Sequence, residues 1–541
     1  MGHIFFPQFK KGKSGFSVHP GLSILDYIRD NGLEIHAECG GHGVCGKCVV
    51  RVEKGEDNLN ELTAAEKKFA LNDKERLACQ ARVIKDDSDI VVFIKEFGTY
   101  EILKYGLERK IPMAPAVTRS GQQVFYQGKK VDDYFGKIYG LAVDIGTTTL
   151  VFDLVDLETG NILATMARTN PQISYGNDVI SRIEYTLIDR ETHRYLPLEK
   201  REHRLKQLQK VVVEGINSGL RELSAEAGQP LERYIYDTVV VGNSTMRNIF
   251  LGLDVSSLGT KPFEPVHPEA ITVAPAEVGL AVNPKGAIYG AALIGGHVGA
   301  DILADILASE MYRSEELSLM IDIGTNGELV LGNRDRLVAA SCAAGGAFEG
   351  NSVSCGTGAI EGAIKEIRLL NGKVVYSTIG SKYPVGVCGS GLIDLLAEML
   401  KHGLMNRQAR IENDFYLNGE LKITQQDIFQ LVTSKSAMKT GVEILLHYYP
   451  AAVEDLKHVY LSGGFGNFIN TANAMAIGLI PQVPEQLVVK IGNGALEGAR
   501  EMLLCQECRQ TAEEIAARVE HVRTNELEAD FDYLMAKNMY F

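Results

Sequence analysis

The chain lacks any apolar segment long enough to cross a lipid bilayer. Although 45% of its 541 residues are hydrophobic, no apolar run approaches the ~20 residues that a transmembrane helix requires. The N-terminus also lacks an apolar leader with a small-residue cleavage site, because Phe5, Phe6 and Pro7 are followed by lysines. We therefore expect a cytoplasmic protein without a membrane-bound segment.

An excess of positive charge is lacking as well. The sequence has 55 lysines and arginines against 69 aspartates and glutamates, a formal net charge of -14. Nucleic acids and anionic membranes require a basic binding surface, so we exclude both as partners. A disulfide framework is not expected either, because four of the nine cysteines follow a metal-ligand pattern near the N-terminus and cytoplasmic thiols stay reduced.

What the chain does contain is one motif present twice. The stretch Tyr139–Leu150 reads Tyr-Gly-Leu-Ala-Val-Asp-Ile-Gly-Thr-Thr-Thr-Leu, and its core returns at Leu319–Glu328 as Leu-Met-Ile-Asp-Ile-Gly-Thr-Asn-Gly-Glu. In each copy an apolar run ends in Asp-Ile-Gly-Thr and a second apolar run follows, which is typical of a hairpin with a tight turn. A duplicated domain is the simplest explanation. The alternative is a duplicated hairpin that binds no ligand.

The two turns have the composition of phosphate-binding loops. Gly146 and Gly324 leave backbone N–H groups accessible to phosphate oxygens. Asp144 and Asp322 each supply a carboxylate suited to holding hydrated Mg²⁺ or orienting an attacking water, so we predict them as the catalytic residues. Further polar donors in the turns are Thr147, Thr148, Thr325 and Asn326.

A cysteine motif occupies the N-terminal region. Cys39, Cys45 and Cys48 lie in Cys-Gly-Gly-His-Gly-Val-Cys-Gly-Lys-Cys, and Cys79 follows about 30 residues later. Three clustered thiolates and one distant thiolate match a plant-type 2Fe-2S site with one extra residue in the first gap. The loop glycines would let the backbone wrap around such a cluster. Structural zinc is the alternative, but it usually has two short Cys-x-x-Cys pairs, whereas the fourth cysteine here stands alone.

The remaining segments give weaker signals. Residues 96–137 show no sustained periodicity, which predicts a mostly irregular linker. Apolar patterns predict helices from Ile180 to about Ala227, over Ala291–Leu307 and over Ala495–Arg518. The last of these would place Cys505 and Cys508 on one face, where we expect them to pack in the core.

Residues 139 to about 500 resemble the superfamily of acetate kinase, sugar kinases, heat-shock ATPases and actin, through two Asp-x-Gly-Thr turns followed by Gly-Gly-x-Gly. The resemblance implies a duplicated ribonuclease H-like α/β fold whose two lobes close over ATP. It implies that Asp144–Thr149 and Asp322–Asn326 contact phosphate and that Leu461–Gly466 contacts adenosine. The further glycine-turn residues that we assign to ATP are Gly389, Ser390, Gly463, Gly464 and Gly466.

The N-terminal region is similar to 2Fe-2S ferredoxins, which implies a β-grasp α+β domain and one-electron transfer. The expected domains are therefore a ferredoxin-like domain at 1–95, a linker at 96–137, a first ATPase lobe at 138–315, and a second lobe with a helical tail at 316–541.

The whole chain resembles the reductive activators of corrinoid proteins. The phrases that carry this resemblance are Asn170-Pro-Gln with Gly176-Asn-Asp, Gly242-Asn-Ser-Thr-Met246, Ala344-Gly-Gly-Ala-Phe-Glu-Gly350 and Ser462-Gly-Gly-Phe-Gly466. The family re-reduces Co(II) of a corrinoid protein to the Co(I) that accepts methyl groups, which implies ATP, Mg²⁺ and a 2Fe-2S cluster as cofactors. The implied partners are a corrinoid protein of a methyltransferase system and a low-potential donor of ferredoxin or flavodoxin type, and a homodimer stays open.

Two further expectations accompany this resemblance. Longer relatives are expected to carry a middle domain that the short connector replaces here, and we hypothesise that Ser341–Gly358 approaches the corrinoid. Two alternative functions remain: an ATP-driven electron-transfer activator of a radical dehydratase or reductase, and a redox sensor that binds nucleotide without turnover.

Overall fold

The structure is a computed structural model that describes the chain except residues 1, 10, 34, 36, 38, 45, 70, 95–110, 190–191, 325, 351, 464–467 and 528–529. It divides into two units, each formed by two segments of the chain. The first unit comprises Met1–Phe97 and Thr169–Gly215, and the second comprises Gly98–Arg168 and Ile216–Phe541. Within the described residues, no helix is long and apolar enough to span a membrane.

The first unit contains a five-stranded sheet in the order β2-β1-β5-β3-β4. Its helix α1 begins after Ser23, whose hydroxyl accepts a hydrogen bond from the backbone N–H of Asp26, while the Asp26 carboxylate accepts one from the backbone N–H of Ser23. The apolar face of α1 packs on the sheet, which confirms the expected ferredoxin-like α+β domain. The elements are β1 His3–Phe5, β2 Phe16–Ser17, α1 Ile24–Asp30, β3 Val49–Lys54, β4 Glu75–Leu77 and β5 Ile90–Ile94.

The second segment of this unit is helical. A short 3₁₀ turn, Pro171–Ser174, precedes α2 Val179–Leu187 and the first part of α3 Leu198–Glu226. Asp178 caps α2 by accepting a hydrogen bond from the backbone N–H of Ser181 at 2.7 Å. The two helices confirm the helical prediction for the range from Ile180 to about Ala227.

The second unit contains two six-stranded sheets with matching strand order. One sheet runs β11-β10-β9-β12-β14-β13 and the other runs β24-β23-β15-β16-β17-β25. The first sheet begins with the antiparallel meander β11-β10-β9 and continues into the parallel strands β12 and β14. The second sheet, taken in the opposite direction, begins with the antiparallel meander β17-β16-β15 and continues into the parallel strands β23 and β24. These two sets of five strands are therefore equivalent. This equivalence confirms the duplicated ribonuclease H-like architecture.

The elements of the second unit are as follows. The strands are β6 Val117–Ser120, β7 Gln123–Tyr126, β8 Lys129–Asp133, β9 Tyr139–Ile145, β10 Thr149–Asp156, β11 Ile162–Thr169, β12 Ile235–Gly242, β13 Ile271–Val273, β14 Ala287–Gly290, β15 Ser318–Ile323, β16 Gly327–Gly332, β17 Leu337–Cys342, β18 Ala363–Leu370, β19 Lys373–Thr378, β20 Gly386–Val387, β21 Phe415–Tyr416, β22 Lys422–Ile423, β23 His458–Ser462, β24 Val488–Gly492 and β25 Glu520–His521. The helices are α4 Ser244–Leu251, α5 Pro275–Val278, α6 Ala300–Ser309, α7 Gly389–Lys401, α8 Gln425–Tyr448, α9 Thr471–Ala476, α10 Gly494–Leu504, α11 Gln506–Arg518, α12 Thr524–Leu527 and α13 Phe531–Asn538.

Both duplicated motifs form the predicted hairpins. Ile145 pairs with Leu150 where β9 turns into β10, and Ile323 pairs with Gly327 where β15 turns into β16. Buried apolar side chains fill both faces of β9 and β15, because helices cover these central strands. The two Asp-Ile-Gly-Thr turns therefore lie at equivalent ends of the two sheets.

The prediction of an irregular linker is wrong for the part of it that the structure describes. Strands β6, β7 and β8 form a three-stranded antiparallel sheet between residues 117 and 133. Val117 and Val124 bury one face of this sheet in the core of the second unit. The other positions are mostly polar and charged, so the segment carries little of the apolar alternation by which a strand is recognised.

Two predicted helices are shorter than expected. Helix α6 starts only at Ala300, because the preceding segment contains closely packed glycines; a Cβ at Gly299 would lie 2.4 Å from the Cα of Asn243. The helix predicted over Ala495–Arg518 breaks at Cys505, where Ala114 accepts a hydrogen bond from Gln506 N–H and donates one to the carbonyl of Leu504. Cys505 thus caps α11 instead of sharing a helical face with Cys508, and both thiols are buried.

Candidate functional site

The first candidate site is the cysteine loop of the first unit. Strands β3 and β4 pair so that Val49 lies opposite Leu77, and this register brings Cys48 beside Cys79. The two sulfur atoms are 3.4 Å apart and both side chains are buried, while Cys39 is partly exposed. Cys45 lies outside the described residues, and within the described ones no group of three His, Cys, Asp or Glu side chains is placed to hold a metal ion by itself.

The loop between these cysteines fits the group predicted from the sequence. Gly43 and Gly46 have φ values of 72° and 69°, which side chains rarely adopt. A Cβ at Gly43 would lie 2.6 Å from the Gln80 side chain, and one at Gly46 would lie 2.5 Å from the Phe69 ring. The loop therefore needs glycine at both positions to keep this path beside the thiols.

The thiol of Cys79 is prepared to act as a thiolate. A hydrogen bond from Cys48 lowers the pKa of Cys79, and a contact from the Gln80 amide acts in the same direction against the effect of burial. The thiolate is the form of cysteine that binds iron, so this lowered pKa fits the ligand role predicted for Cys79.

The second candidate site is a cleft in the second unit between the two hairpin turns. Turn residues from both sheets line it, so the structure brings together most of the predicted phosphate-binding positions. The predicted residues that line the cleft are Asp144, Gly146, Thr147, Thr148, Asp322, Gly324, Asn326, Gly389 and Gly463.

Other predicted positions are placed differently or are not described. Ser390 is buried and donates a hydrogen bond to the carbonyl of Lys365 at 2.8 Å, and it is not among the residues that line the cleft. Thr325, Gly464 and Gly466 lie outside the described residues. A Cβ at Gly463 would lie 2.8 Å from Oδ1 of Asp322, so glycine at this position keeps the space beside that carboxylate open.

The cleft concentrates negative charge. Its carboxylates are Asp144, Asp301, Asp322, Glu328 and Glu349. No lysine, arginine or histidine is among the described residues that line it. Burial raises the pKa of Asp144 to about 6, and burial together with neighbouring carboxylates raises the pKa of Asp301 to about 7 and that of Asp322 to about 8. These carboxylates can all be ionised together only when a cation shares the site.

Hydrogen bonds fix several of these side chains. Asn493 donates to Asp144 Oδ2 at 2.9 Å, and Asn243 donates to Thr147 Oγ1 at 3.0 Å. By contrast, Oδ1 of Asp322 is buried and accepts no hydrogen bond from the described residues. An unpaired buried carboxylate oxygen facing a cleft is a suitable ligand for a divalent cation, directly or through its water.

Part of this site was not predicted from the sequence. Asp301 and Glu349 line the cleft, and Asp305 lies behind it, where it accepts a hydrogen bond from the cleft residue Ser462 at 2.9 Å. Asp301 and Asp305 both lie on α6, and Glu349 ends the 3₁₀ turn Gly346–Glu349. Two carboxylates four residues apart in an otherwise apolar helix were a detectable signal, because they share one helical face. Glu349 gave no such signal, since only the tertiary fold brings it near both turns: its Oε2 accepts a hydrogen bond from Thr148 at 3.2 Å.

Family models match three parts of the chain. The 2Fe-2S iron-sulfur cluster binding domain matches residues 9–83, the RACo middle region matches 139–314, and the C-terminal domain of RACo, the ASKHA domain, matches 316–541. The expectation that this chain lacks a middle domain is therefore wrong, because the middle region is the segment that we had assigned to the first ATPase lobe.

Two similar proteins and one solved structure match over most of the chain. The corrinoid activation enzyme RamQ of Eubacterium limosum is 31% identical over 554 residues and 90% of each chain. The [Co(II) methylated amine-specific corrinoid protein] reductase of Methanosarcina barkeri is 25% identical over 71% of this chain and 73% of its own. A solved structure of a reductive activator for corrinoid, iron-sulfur protein matches with a TM-score of 0.73 and 28% identity, covering 100% of this chain and 98% of the other.

Proposed function

Because this chain belongs to the family of reductive activators of corrinoid proteins, we propose that it uses ATP to return a corrinoid protein from Co(II) to Co(I) by donating one electron. The observation that carries the proposal is the combination of a thiolate loop for a 2Fe-2S cluster with an acidic cleft between duplicated phosphate-type turns in one chain. Either site could serve a protein without the other, so their presence in one chain supports an electron transfer that depends on ATP.

Cys39, Cys45 and Cys48 of the loop would hold the cluster together with Cys79. When bound there, a 2Fe-2S cluster supplies one electron at a potential near -400 mV. Reduction of Co(II) is expected to need a lower potential, and a gap of about 200 mV would cost roughly 5 kcal/mol for one electron. Binding the corrinoid protein more tightly in a reducible state, and releasing it afterwards, would offset this cost if nucleotide turnover drives the change.

The cleft would hold ATP with Mg²⁺. Backbone N–H groups of the two turns would contact phosphate oxygens, and Asp144 and Asp322 would bind the hydrated cation or orient the attacking water. The cation would also neutralise the carboxylates whose pKa values burial raises. Gly389 and Gly463 would border the nucleotide, because both line the same cleft.

Glu349 would couple nucleotide binding in the cleft to the rest of the second lobe. One of its oxygens accepts a hydrogen bond from Thr148 of the first turn, and a Cβ at Gly324 of the second turn would lie 4.0 Å from the other oxygen. A phosphate group and its cation in this space would compete with these contacts. We place the corrinoid contact in Ser341–Gly358, the segment that contains Glu349.

The electron would reach the cluster from a low-potential donor of ferredoxin or flavodoxin type, because only a donor of similarly low potential can reduce a plant-type cluster. We keep the functional division at 1–95, 96–137, 138–315 and 316–541, with electron transfer assigned to the first part and nucleotide turnover to the last two.

The test is the anaerobic reduction of a Co(II) corrinoid protein in the presence of a low-potential reductant and MgATP. The reaction is monitored through the cobalt absorbance. We expect Co(I) to form only with ATP, and to be lost in Cys48→Ser and in Asp322→Asn for different reasons. Cys48→Ser should lose the 2Fe-2S spectrum but still bind nucleotide, whereas Asp322→Asn should keep the spectrum and lose ATP hydrolysis.

The matched control is Asp335→Asn, which changes an exposed aspartate of the same unit and should leave Co(I) formation unchanged. Equal Co(I) formation with and without ATP would contradict the proposal. So would full activity in Cys48→Ser.

A further inference from the structure

The cluster loop of the first unit contacts a buried arginine whose role is not explained by the ferredoxin fold. Arg29 lies in the last turn of α1 and is only 6% exposed. Buried arginines are rare because removing the guanidinium from water is costly unless its donors are satisfied. The surroundings of Arg29 therefore indicate what this charge does.

The guanidinium connects the loop to the second segment of the same unit. Its Nη2 donates a hydrogen bond to the carbonyl of Gly40, the residue after Cys39, at 2.9 Å. Its Nε donates to the carbonyl of Ser174, and its carbon lies 5.2 Å from the centre of the Tyr175 ring. Arg29 is thus held between the backbone of the cysteine loop and the turn that ends at Tyr175.

Contacts around the guanidinium close this arrangement. The Tyr175 hydroxyl donates to the backbone carbonyl of Arg29 at 3.3 Å, and the Ser174 hydroxyl accepts from Ile35 N–H at 3.3 Å. Gly40 also shares a small cavity with Ser181 and neighbouring residues of α2. The second segment therefore packs directly against the start of the cysteine loop.

The turn that receives Arg29 is itself rigid. Asn170 Oδ1 accepts a hydrogen bond from Gln172 N–H at 3.0 Å, and Arg182 donates to Gln172 Oε1 at 3.0 Å and to the carbonyl of Gly176 at 2.9 Å. Asn170 and Gln172 belong to Asn170-Pro-Gln, and Gly176 begins Gly176-Asn-Asp, two phrases that neither candidate site uses. Their position indicates that they build the seat for Arg29.

We propose that Arg29 is a positioning residue that fixes the start of the cysteine loop and, through its buried positive charge, raises the reduction potential of the cluster held there. A 2Fe-2S cluster becomes more negative when it gains an electron, so a nearby cation stabilises the reduced form. Burial is the largest influence on the pKa of Arg29 and lowers it, but a guanidinium remains protonated at neutral pH. The charge is therefore permanent, and its seat keeps it beside the loop.

The inference rests on the cluster assignment within the proposed function, and it does not depend on the corrinoid partner. Its test is a redox titration of the full-length protein followed by electron paramagnetic resonance, with the signal normalised to iron and sulfide content. Arg29→Gln keeps a hydrogen-bond donor but removes the charge, so its midpoint potential should be more negative than that of the wild type. Arg29→Lys keeps the charge and should recover at least half of that shift.

Arg51→Gln is the matched control, because Arg51 lies in the same domain with its side chain 58% exposed and ion-paired with Glu53. Its midpoint should equal that of the wild type. The inference is overturned if Arg29→Gln titrates at the wild-type potential, if Arg51→Gln shifts as far as Arg29→Gln, or if Arg29→Lys and Arg29→Gln shift equally. A purely structural role would lower cluster content and leave the potential of the loaded molecules unchanged. Absence of a 2Fe-2S signal from the wild type would instead overturn the proposed function as well.

Discussion

The buried side chain of Asp322 should make the nucleotide-free protein less stable as the pH rises from 6 to 8. Burial, with the charges of Asp301 and Asp144, raises the pKa of Asp322 from 3.8 to about 8. Because this pKa is higher in the folded than in the unfolded chain, protonated Asp322 favours the folded state at low pH. That contribution is lost as the pH rises toward about 8. Asparagine cannot ionise and avoids the loss.

The size of the effect follows from the same values. Between pH 6 and pH 8 the unfolded chain gains from ionising Asp322 while the folded chain scarcely does, which costs the wild type about 2 kcal/mol at about 1.4 kcal/mol per pH unit. For a unit of roughly 400 residues, this corresponds to about 3 °C in Tm. We expect Asp322→Asn to gain about this much in Tm relative to the wild type when the pH is raised from 6 to 8.

The assay is thermal unfolding without Mg²⁺ or nucleotide at both pH values, with Asp335→Asn as the exposed control. Adding Mg²⁺ and ATP should stabilise the wild type at pH 8 more than Asp322→Asn, because the cation then shares the carboxylate site. The reasoning is refuted if the Tm difference between Asp322→Asn and the wild type is the same at pH 6 and pH 8, or if the variant is the less stable protein at pH 8.

Two further substitutions test other parts of the structure. Gly46→Ala should lower the iron and sulfide content several-fold, because its Cβ would meet the Phe69 ring at 2.5 Å. Gly21 also has a positive φ, but a Cβ there would enter open space, so Gly21→Ala should keep the full content. Equal loss of iron and sulfide in both variants would refute the steric argument. Arg509→Met should destabilise the second unit by about 3–5 kcal/mol, because it leaves the Asp237 carboxylate buried without its cation. Urea unfolding should show this loss of stability, whereas Arg313→Met, at an exposed arginine, should show none. A loss below about 1 kcal/mol in Arg509→Met would contradict the assigned pairing.

The hairpins that hold the predicted catalytic aspartates could be recognised from the sequence because their signals are local. Each apolar run and its Asp-Ile-Gly-Thr turn specify a strand, a tight turn and a second strand within a few residues. The duplication then implied that two equivalent sheets exist. The order of their strands agrees with that implication.

The rest of the cleft depends on contacts that are distant in sequence. Glu349 meets Thr148 across some 200 residues, and Asn493 meets Asp144 across an even longer separation. No short window of sequence contains either pair. The break at Cys505 has the same origin, since its helix is interrupted by hydrogen bonds to Ala114 rather than by a helix-breaking residue.

Single-turnover reduction tests the central claim most directly. The protein would be reduced anaerobically, freed of the external donor, and mixed with a Co(II) corrinoid protein with or without MgATP, while the cluster signal and the cobalt absorbance are followed together. We predict that ATP causes one Co(I) to form for each reduced cluster that is lost, and that neither change occurs without ATP. Co(I) formation without loss of the cluster signal, or loss of that signal at the same rate without ATP, would contradict the account.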